Sequence, residues 1–221
     1  MAKDNPNRLL VEGAEDLRTI PELVEANGLN WGTKKEPLVF IENMDGYENI
    51  ANANEISTQF KSSNLQALGI IVDADEDLNQ RWQSLRDACL PSVPNLPETI
   101  PDTGLIHTIS RKPHDIRFGV WIMPDNQQRG MLETFLAYLI PEEGDRLWDY
   151  AQKATHEAKK SFGATYKDSH TDKANLYTWL AWQEPPGRQL HDAIKQKILA
   201  PNHPKSQDFM NWFRELYQCH S

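Results

Sequence analysis

Cysteine is nearly missing from this chain: Cys89 and Cys219 are the two in 221 residues. Two thiols so far apart make neither a zinc spacing nor a disulfide framework, so reduced cysteines and a cytoplasmic location are expected. The N-terminal residues Met1-Ala2-Lys3-Asp4-Asn5-Pro6 are polar, with no secretory apolar stretch behind them. No run approaches the roughly 20 apolar residues of a membrane helix, so no membrane partner is expected. The seven histidines are scattered and none falls into a His-Glu-x-x-His pattern. A Gly-rich phosphate loop is also missing, so any ATPase activity would have to come from a partner protein. Basic charge is short as well. Against 32 acidic residues stand 23 basic ones, a formal net charge of −9. That works against simple electrostatic attraction to nucleic acid as the basis of function, though not against an enzyme that reaches phosphate through metal and one local basic face.

Hydrophobic patterning is abundant enough for a proper core. Arg8-Leu9-Leu10-Val11 reads as a first strand, ending in Glu12-Gly13. Ala14 to Ala26 reads as a helix with Leu17, Ile20, Leu23 and Val24 on one face. Pro21 predicts a kink there or a split into two short helices, and Asn27-Gly28 a left-handed cap. Pro37 to Ile41 is the second strand, followed by an Asp45-Gly46 turn and a weaker helix from Tyr47 to Lys61. Leu68-Gly69-Ile70-Ile71-Val72-Asp73 is the third, an unbroken apolar run of the kind buried on both faces of a parallel sheet. A helix from Leu78 to Leu90 completes a βαβαβα order. The proline-rich segment from Pro91 to Pro101 predicts a surface loop. Gly104–Ser110 and Arg117–Met123 predict a hairpin that adds an antiparallel strand. Beyond Gly130 the pattern is helical throughout: Met131–Leu139, Glu142–Ser161, Lys173–Gln183, Gln189–Leu199 and Ser206–Tyr217. The expectation is an α/β fold, with a mostly parallel sheet over residues 1–126 and a helical part over residues 127–221 packed on it.

Chemistry is expected where apolar strands stop at acids: Val11-Glu12, Val72-Asp73-Ala74-Asp75-Glu76-Asp77 and Met123-Pro124-Asp125. Ligands of open α/β sheets bind beyond the strands' carboxyl ends. If strands one and three are neighbours, Glu12, Asp73 and Asp75 converge. In an extended chain Asp73 and Asp75 would point the same way, and oxygen ligands at that density suit Mg²⁺. The structural alternative is that Asp75 caps the next helix, with Glu76 and Asp77 as first-turn acids. Asp125 could equally be a turn residue, and Asp16 a first-turn acid. Trp179 and Trp182 read as core rather than as base-stacking platforms.

Leu9-Leu10-Val11-Glu12-Gly13-Ala14-Glu15-Asp16 resembles the first motif of Toprim domains, and Ile70-Ile71-Val72-Asp73-Ala74-Asp75 resembles their second. The whole chain resembles an uncharacterised bacterial family of stand-alone Toprim-like proteins. Gly119–Asn126, Gly130-Met131-Leu132-Glu133 and Thr178–Gln183 carry that wider likeness. The resemblance implies a Toprim-like (Rossmann-like) core and metal-dependent phosphodiester hydrolysis of DNA or RNA with Mg²⁺ or Mn²⁺. Glu12 would be a ligand or general acid/base. Asp73 and Asp75 would hold the metal, with Asp77 in the same acidic run. Asp16 and Glu133 match acids of the overcoming-lysogenization-defect nucleases, and Lys173 matches a late lysine there that could offset charge in the transition state. A haloacid-dehalogenase-type phosphatase also places Asp-x-Asp after an apolar strand, but after its first strand, not its third. The non-enzymatic reading is a Toprim-derived binding module in a defence or repair assembly, with a separate ATPase or another protein as partner.

Overall fold

The computed structural model describes residues 4–142 and 145–219. Its centre is a five-stranded sheet in the order β2-β1-β3-β5-β4. The strands are β1 (Asn7–Val11), β2 (Phe40–Asn43), β3 (Ala67–Asp73), β4 (Leu105–Ile109) and β5 (Ile116–Met123). All neighbours run parallel except the β4–β5 hairpin. After β1 the chain crosses to β2 on one side, then returns past β1 to β3 on the other. The crevice between β1 and β3 is therefore the sheet's switch point, where α/β folds place ligands.

Both faces of the sheet are covered, which explains the unbroken apolar run of β3. Side chains alternate across a strand, so Leu9, Val11, Ile71 and Trp121 join one core and Leu10, Ile70, Val72 and Val120 the other. The second core is closed by α2 (Tyr47–Ile50), α3 (Ala53–Phe60) and α4 (Leu78–Cys89), through Ile50, Ile56, Trp82 and Leu85. The single helix expected over Tyr47–Lys61 is interrupted because the Asn52 side chain caps α3, accepting from the N–H groups of Asn54 and Glu55. The proline-rich segment after α4 packs closely. Val93, Leu96 and Ile100 are buried, and Trp82 donates to the Glu98 carbonyl at 3.0 Å.

The first core is closed by α1 (Ala14–Ala26) together with α5 (Leu132–Ala137), α6 (Asp145–Phe162), α7 (Thr171–Ala181), α8 (Leu190–Lys195) and α9 (Pro204–Tyr217). The expected start of α6 at Glu142 runs through residues 143 and 144, which lie outside the described residues. Helix α1 is one continuous helix despite Pro21. Ile20, Leu23 and Val24 are buried, whereas Leu17 stays exposed. Helix α9 crosses the sheet where Gly69 of β3 and Gly119 of β5 stand side by side. A Cβ at Gly119 would come within 2.7 Å of Leu216, so the glycine pair is the groove in which α9 lies. Tyr217 then donates across β3 to the Arg8 carbonyl at 2.8 Å. Trp179 is core, but Trp182 is 42% exposed and stacks on Tyr150 at 5.5 Å between centroids. Among the described residues no helix is long and apolar enough to cross a membrane.

Candidate active site

Because β1 and β3 are neighbours with Val11 beside Ile71, Glu12 and Asp73 leave the sheet together. The Glu12 main chain is held by the turn after β2, its carbonyl accepting from Gly46 N–H at 2.9 Å. Its carboxylate accepts the backbone N–H of Asp73 at 2.8 Å. The Asp73 carboxylate accepts from the backbone N–H of Leu132 at 3.0 Å, which brings the start of α5 to the same spot. Glu133, the next residue, is buried at 4% exposure and pairs with Lys173 of α7 at 2.9 Å. Asp16 is buried too, and its carboxylate reaches back to the Gly13 N–H at 3.1 Å. It thus serves as the capping acid of α1 while facing the other acids.

Glu12, Asp16, Asp73 and Glu133 form one electrostatic unit. Burial pushes the Asp16 carboxyl up to about 7, with the Glu12 charge next and Glu133 adding to it. Asp73 is raised well above the ordinary range. Removal of its carboxylate from water comes first, then the charges of Asp16, Glu12, Glu133 and Asp75. Glu12 is raised by burial, against the opposing pull of the Asp73 N–H and of Arg81. Burial alone would lower the Lys173 ammonium, but Glu133 outweighs it and the net shift is upward. Lys173 is a fixed cation rather than a base.

The Asp-x-Asp acids separate. The strand ends at Asp73, and Asp75 is left-handed at φ +51°, so the alternation that would align their side chains is broken. Asp residues tolerate this region better than most. Reciprocal hydrogen bonds of 2.9 Å between the Asp75 and Gly130 main chains hold the conformation. The Asp75 carboxylate turns to the guanidinium of Arg81 on α4. Asp77, not Asp75, caps α4, accepting from Gln80 N–H at 3.0 Å. Asp125 is a turn acid. One oxygen accepts from Gln127 and Gln128 N–H, and the other meets Tyr138 OH and Lys205.

Arg81 is the site residue that the sequence reading missed. Its guanidinium lies 3.7 Å from the centroid of the Tyr47 ring. The signal available was an arginine one turn into the helix that follows the acidic run, too common to single out. The approach of Tyr47 from α2 depends on the tertiary fold.

The donor chemistry fits a hard divalent cation: four clustered carboxylates whose repulsion already raises Asp16 and Asp73. Among the described residues, however, no three His, Cys, Asp or Glu side chains are arranged to hold a metal ion. One oxygen of each of the four acids faces a protein donor, namely Asp73 N–H, Leu132 N–H, Gly13 N–H and Lys173, and Asp75 faces Arg81. A metal would have to be held through the second oxygens of these carboxylates or displace those partners.

The sequence matches the family described as "Protein of unknown function (DUF3226)" over residues 6–218. No curated protein and no solved structure matches the chain.

Proposed function

The chain belongs to the DUF3226 family of proteins of unknown function, and for this member we propose Mg²⁺- or Mn²⁺-dependent phosphoryl transfer of the Toprim type, as a nucleic-acid phosphodiesterase. The observation that carries the reading is the Glu12–Asp73 contact at the β1/β3 switch point, with Asp16 and Glu133 close enough to raise Asp73. Glu12, Asp73 and Glu133 would hold the metal, with Asp16 and Asp75 completing the set. When bound, a divalent ion supplies Lewis-acid activation of a phosphoryl oxygen or of water.

The chain's own residues have separable tasks. Glu12, whose carboxyl burial raises above its ordinary value, accepts the proton of the attacking water. Lys173, held charged by Glu133, offsets negative charge that develops on the phosphoryl oxygens. Asp16 orients the turn that presents Glu12 through the Gly13 N–H.

A specific observation favours a second reading, a non-catalytic binding module in a defence or repair assembly. The acids are already paired to protein donors, and the net charge of −9 repels nucleic acid. Cleavage of single- and double-stranded DNA and RNA with Mg²⁺ or Mn²⁺, by the wild type and by Glu12→Gln and Asp73→Asn, separates the two. Metal-dependent cleavage lost in both variants supports the enzyme. Cleavage that survives both substitutions comes from a contaminant. No cleavage, together with no response of the wild type to metal, leaves the binding module.

A further inference from the structure

Five large apolar side chains are exposed among the described residues, and four of them lie on the α6–α7 hairpin: Leu147 at 36%, Tyr150 at 60%, Phe162 at 80% and Trp182 at 42%. The two helices run antiparallel, with Tyr150 stacked on Trp182 and the Thr155 and Thr178 hydroxyls 3.3 Å apart. Between them lies an open groove of about 590 Å³, floored by Ala154, Thr155, Ala158, Ala174, Thr178 and Ala181. Leu147, Tyr150, Ala154, Ala158 and Phe162 recur three or four residues apart, so they make one stripe of α6. The inward positions of that helix are already taken by Ala151 and Thr155, which are buried. The stripe beside them stands in water, and a contiguous apolar patch of this kind marks an interaction surface.

We propose that the α6–α7 face is a dimer interface, and that its occupant is the same face of a second copy of this chain. The arrangement is independent of any metal at the acid cluster. Its first support is self-complementarity. A two-fold axis over the midpoint of Ala154 and Ala158 sets Ala154 of each copy against Ala158 of the other, and Phe162 of each over the Tyr150–Trp182 stack of the other. Small residues then meet small ones, so the helices can approach closely, and aromatic rings meet aromatic rings at both ends. Charge is the second support. Residues 146–182 carry six basic and four acidic side chains in a chain of net charge −9, so the excess acid lies elsewhere and two copies can meet here without strong repulsion. Size is the third. Helix α6 has 18 residues, so it is about 27 Å long. A two-helix face about 20 Å wide then offers on the order of 500 Å² per copy, and two such faces reach the roughly 1,000 Å² that a specific interface needs.

Sedimentation equilibrium of the full chain over a wide range of protein concentration tests this. The wild type should follow a monomer–dimer equilibrium, and Phe162→Asp should weaken association at least about tenfold, as loss of a central aromatic does. Because Phe162 is so exposed, the variant should melt with the wild type at the dilution where both are monomers. Trp182→Ser gives the same reading should Phe162→Asp fail to fold. Cysteine pairing tests the two-fold arrangement. Tyr150→Cys and Phe162→Cys chains, each also carrying Cys219→Ser, should cross-link to one another on oxidation faster than either does to itself. A wild type that stays monomeric throughout overturns the proposal and leaves the face to a different partner. A dimer that Phe162→Asp and Trp182→Ser both leave intact is built on another surface and overturns it as well. Cross-linking of Phe162→Cys chiefly to itself overturns the two-fold arrangement.

Discussion

The Glu12 carboxylate accepts the Asp73 backbone N–H at 2.8 Å, a bond that ties the acid after β1 to the acid ending β3. That contact holds the two groups at the switch point and concentrates negative charge there. A cation relieves the repulsion, and so does neutralisation of one acid. The two kinds of relief can be told apart.

Asp73→Asn should melt higher than the wild type without metal, because it removes a charge that burial and four neighbouring acids disfavour. In Mg²⁺ or Mn²⁺ the wild type should gain stability as ligand binding to the native state requires, and the variant should gain little. Thermal melts with and without metal check both halves. An equal metal response in the two proteins removes Asp73 from any metal site.

Asp77→Ala should cost about 1 kcal/mol in urea unfolding, the usual effect of losing a helix N-cap, since its oxygen takes the Gln80 N–H. The metal response should survive. A lost metal response with little change in stability would return Asp77 to the ligand set.

The acids could be read from the sequence because strands ending in carboxylates are a local pattern, and the sheet order then brings Glu12 and Asp73 together. The separation of Asp75 from Asp73 was not legible. It depends on a left-handed residue held by Gly130, more than fifty positions away, and on an arginine positioned by Tyr47. The α1 and α4 spans were legible from helical periodicity. Continuity through Pro21 was not, because tertiary packing of Ile20, Leu23 and Val24 overrides one lost backbone bond. The Asn52 cap that divides α2 from α3 is a local signal visible in the sequence and outweighed there by the apolar spacing.

Lys173→Met should destabilise by roughly 1–3 kcal/mol, because it leaves the buried Glu133 without its cation. The lysine is itself half-exposed, so the loss falls short of that for a fully buried pair. Adding Glu133→Gln should restore most of the stability, as denaturant titration of the single and double variants would read. A single-variant loss that the double variant fails to recover would place the Lys173 contribution elsewhere, for example on the Tyr177 ring 5.9 Å away.

Gly119→Ala should destabilise by about 1–3 kcal/mol through overpacking, since the new methyl would meet Leu216 of α9 at 2.7 Å. Leu216→Ala in the same chain should recover part of that loss while creating its own cavity. A wild-type stability for Gly119→Ala would mean that α9 shifts freely on the sheet, and the Tyr217 bond to Arg8 would then be the thing to measure.

The metal-free protein should lose stability as pH rises from about 4 to about 7. The Asp16 carboxyl titrates at about 7 in the fold, raised by burial first and by Glu12 next, and near 4 in the unfolded chain. Between those values the folded state holds a proton that the unfolded chain has released, so unfolding becomes easier as pH rises. The penalty is absent below about pH 4 and complete above about 7, on the order of 1–4 kcal/mol. Asp73, also raised, extends the fall in the same direction. Asp16→Asn keeps an oxygen for the Gly13 N–H but carries no charge, so its stability should vary less over this range. Melts of both proteins at about pH 5 and about pH 8 in EDTA read the difference directly. A wild-type slope no steeper than the variant's would mean that Asp16 ionises without opposition, and that the four acids do not act as one unit.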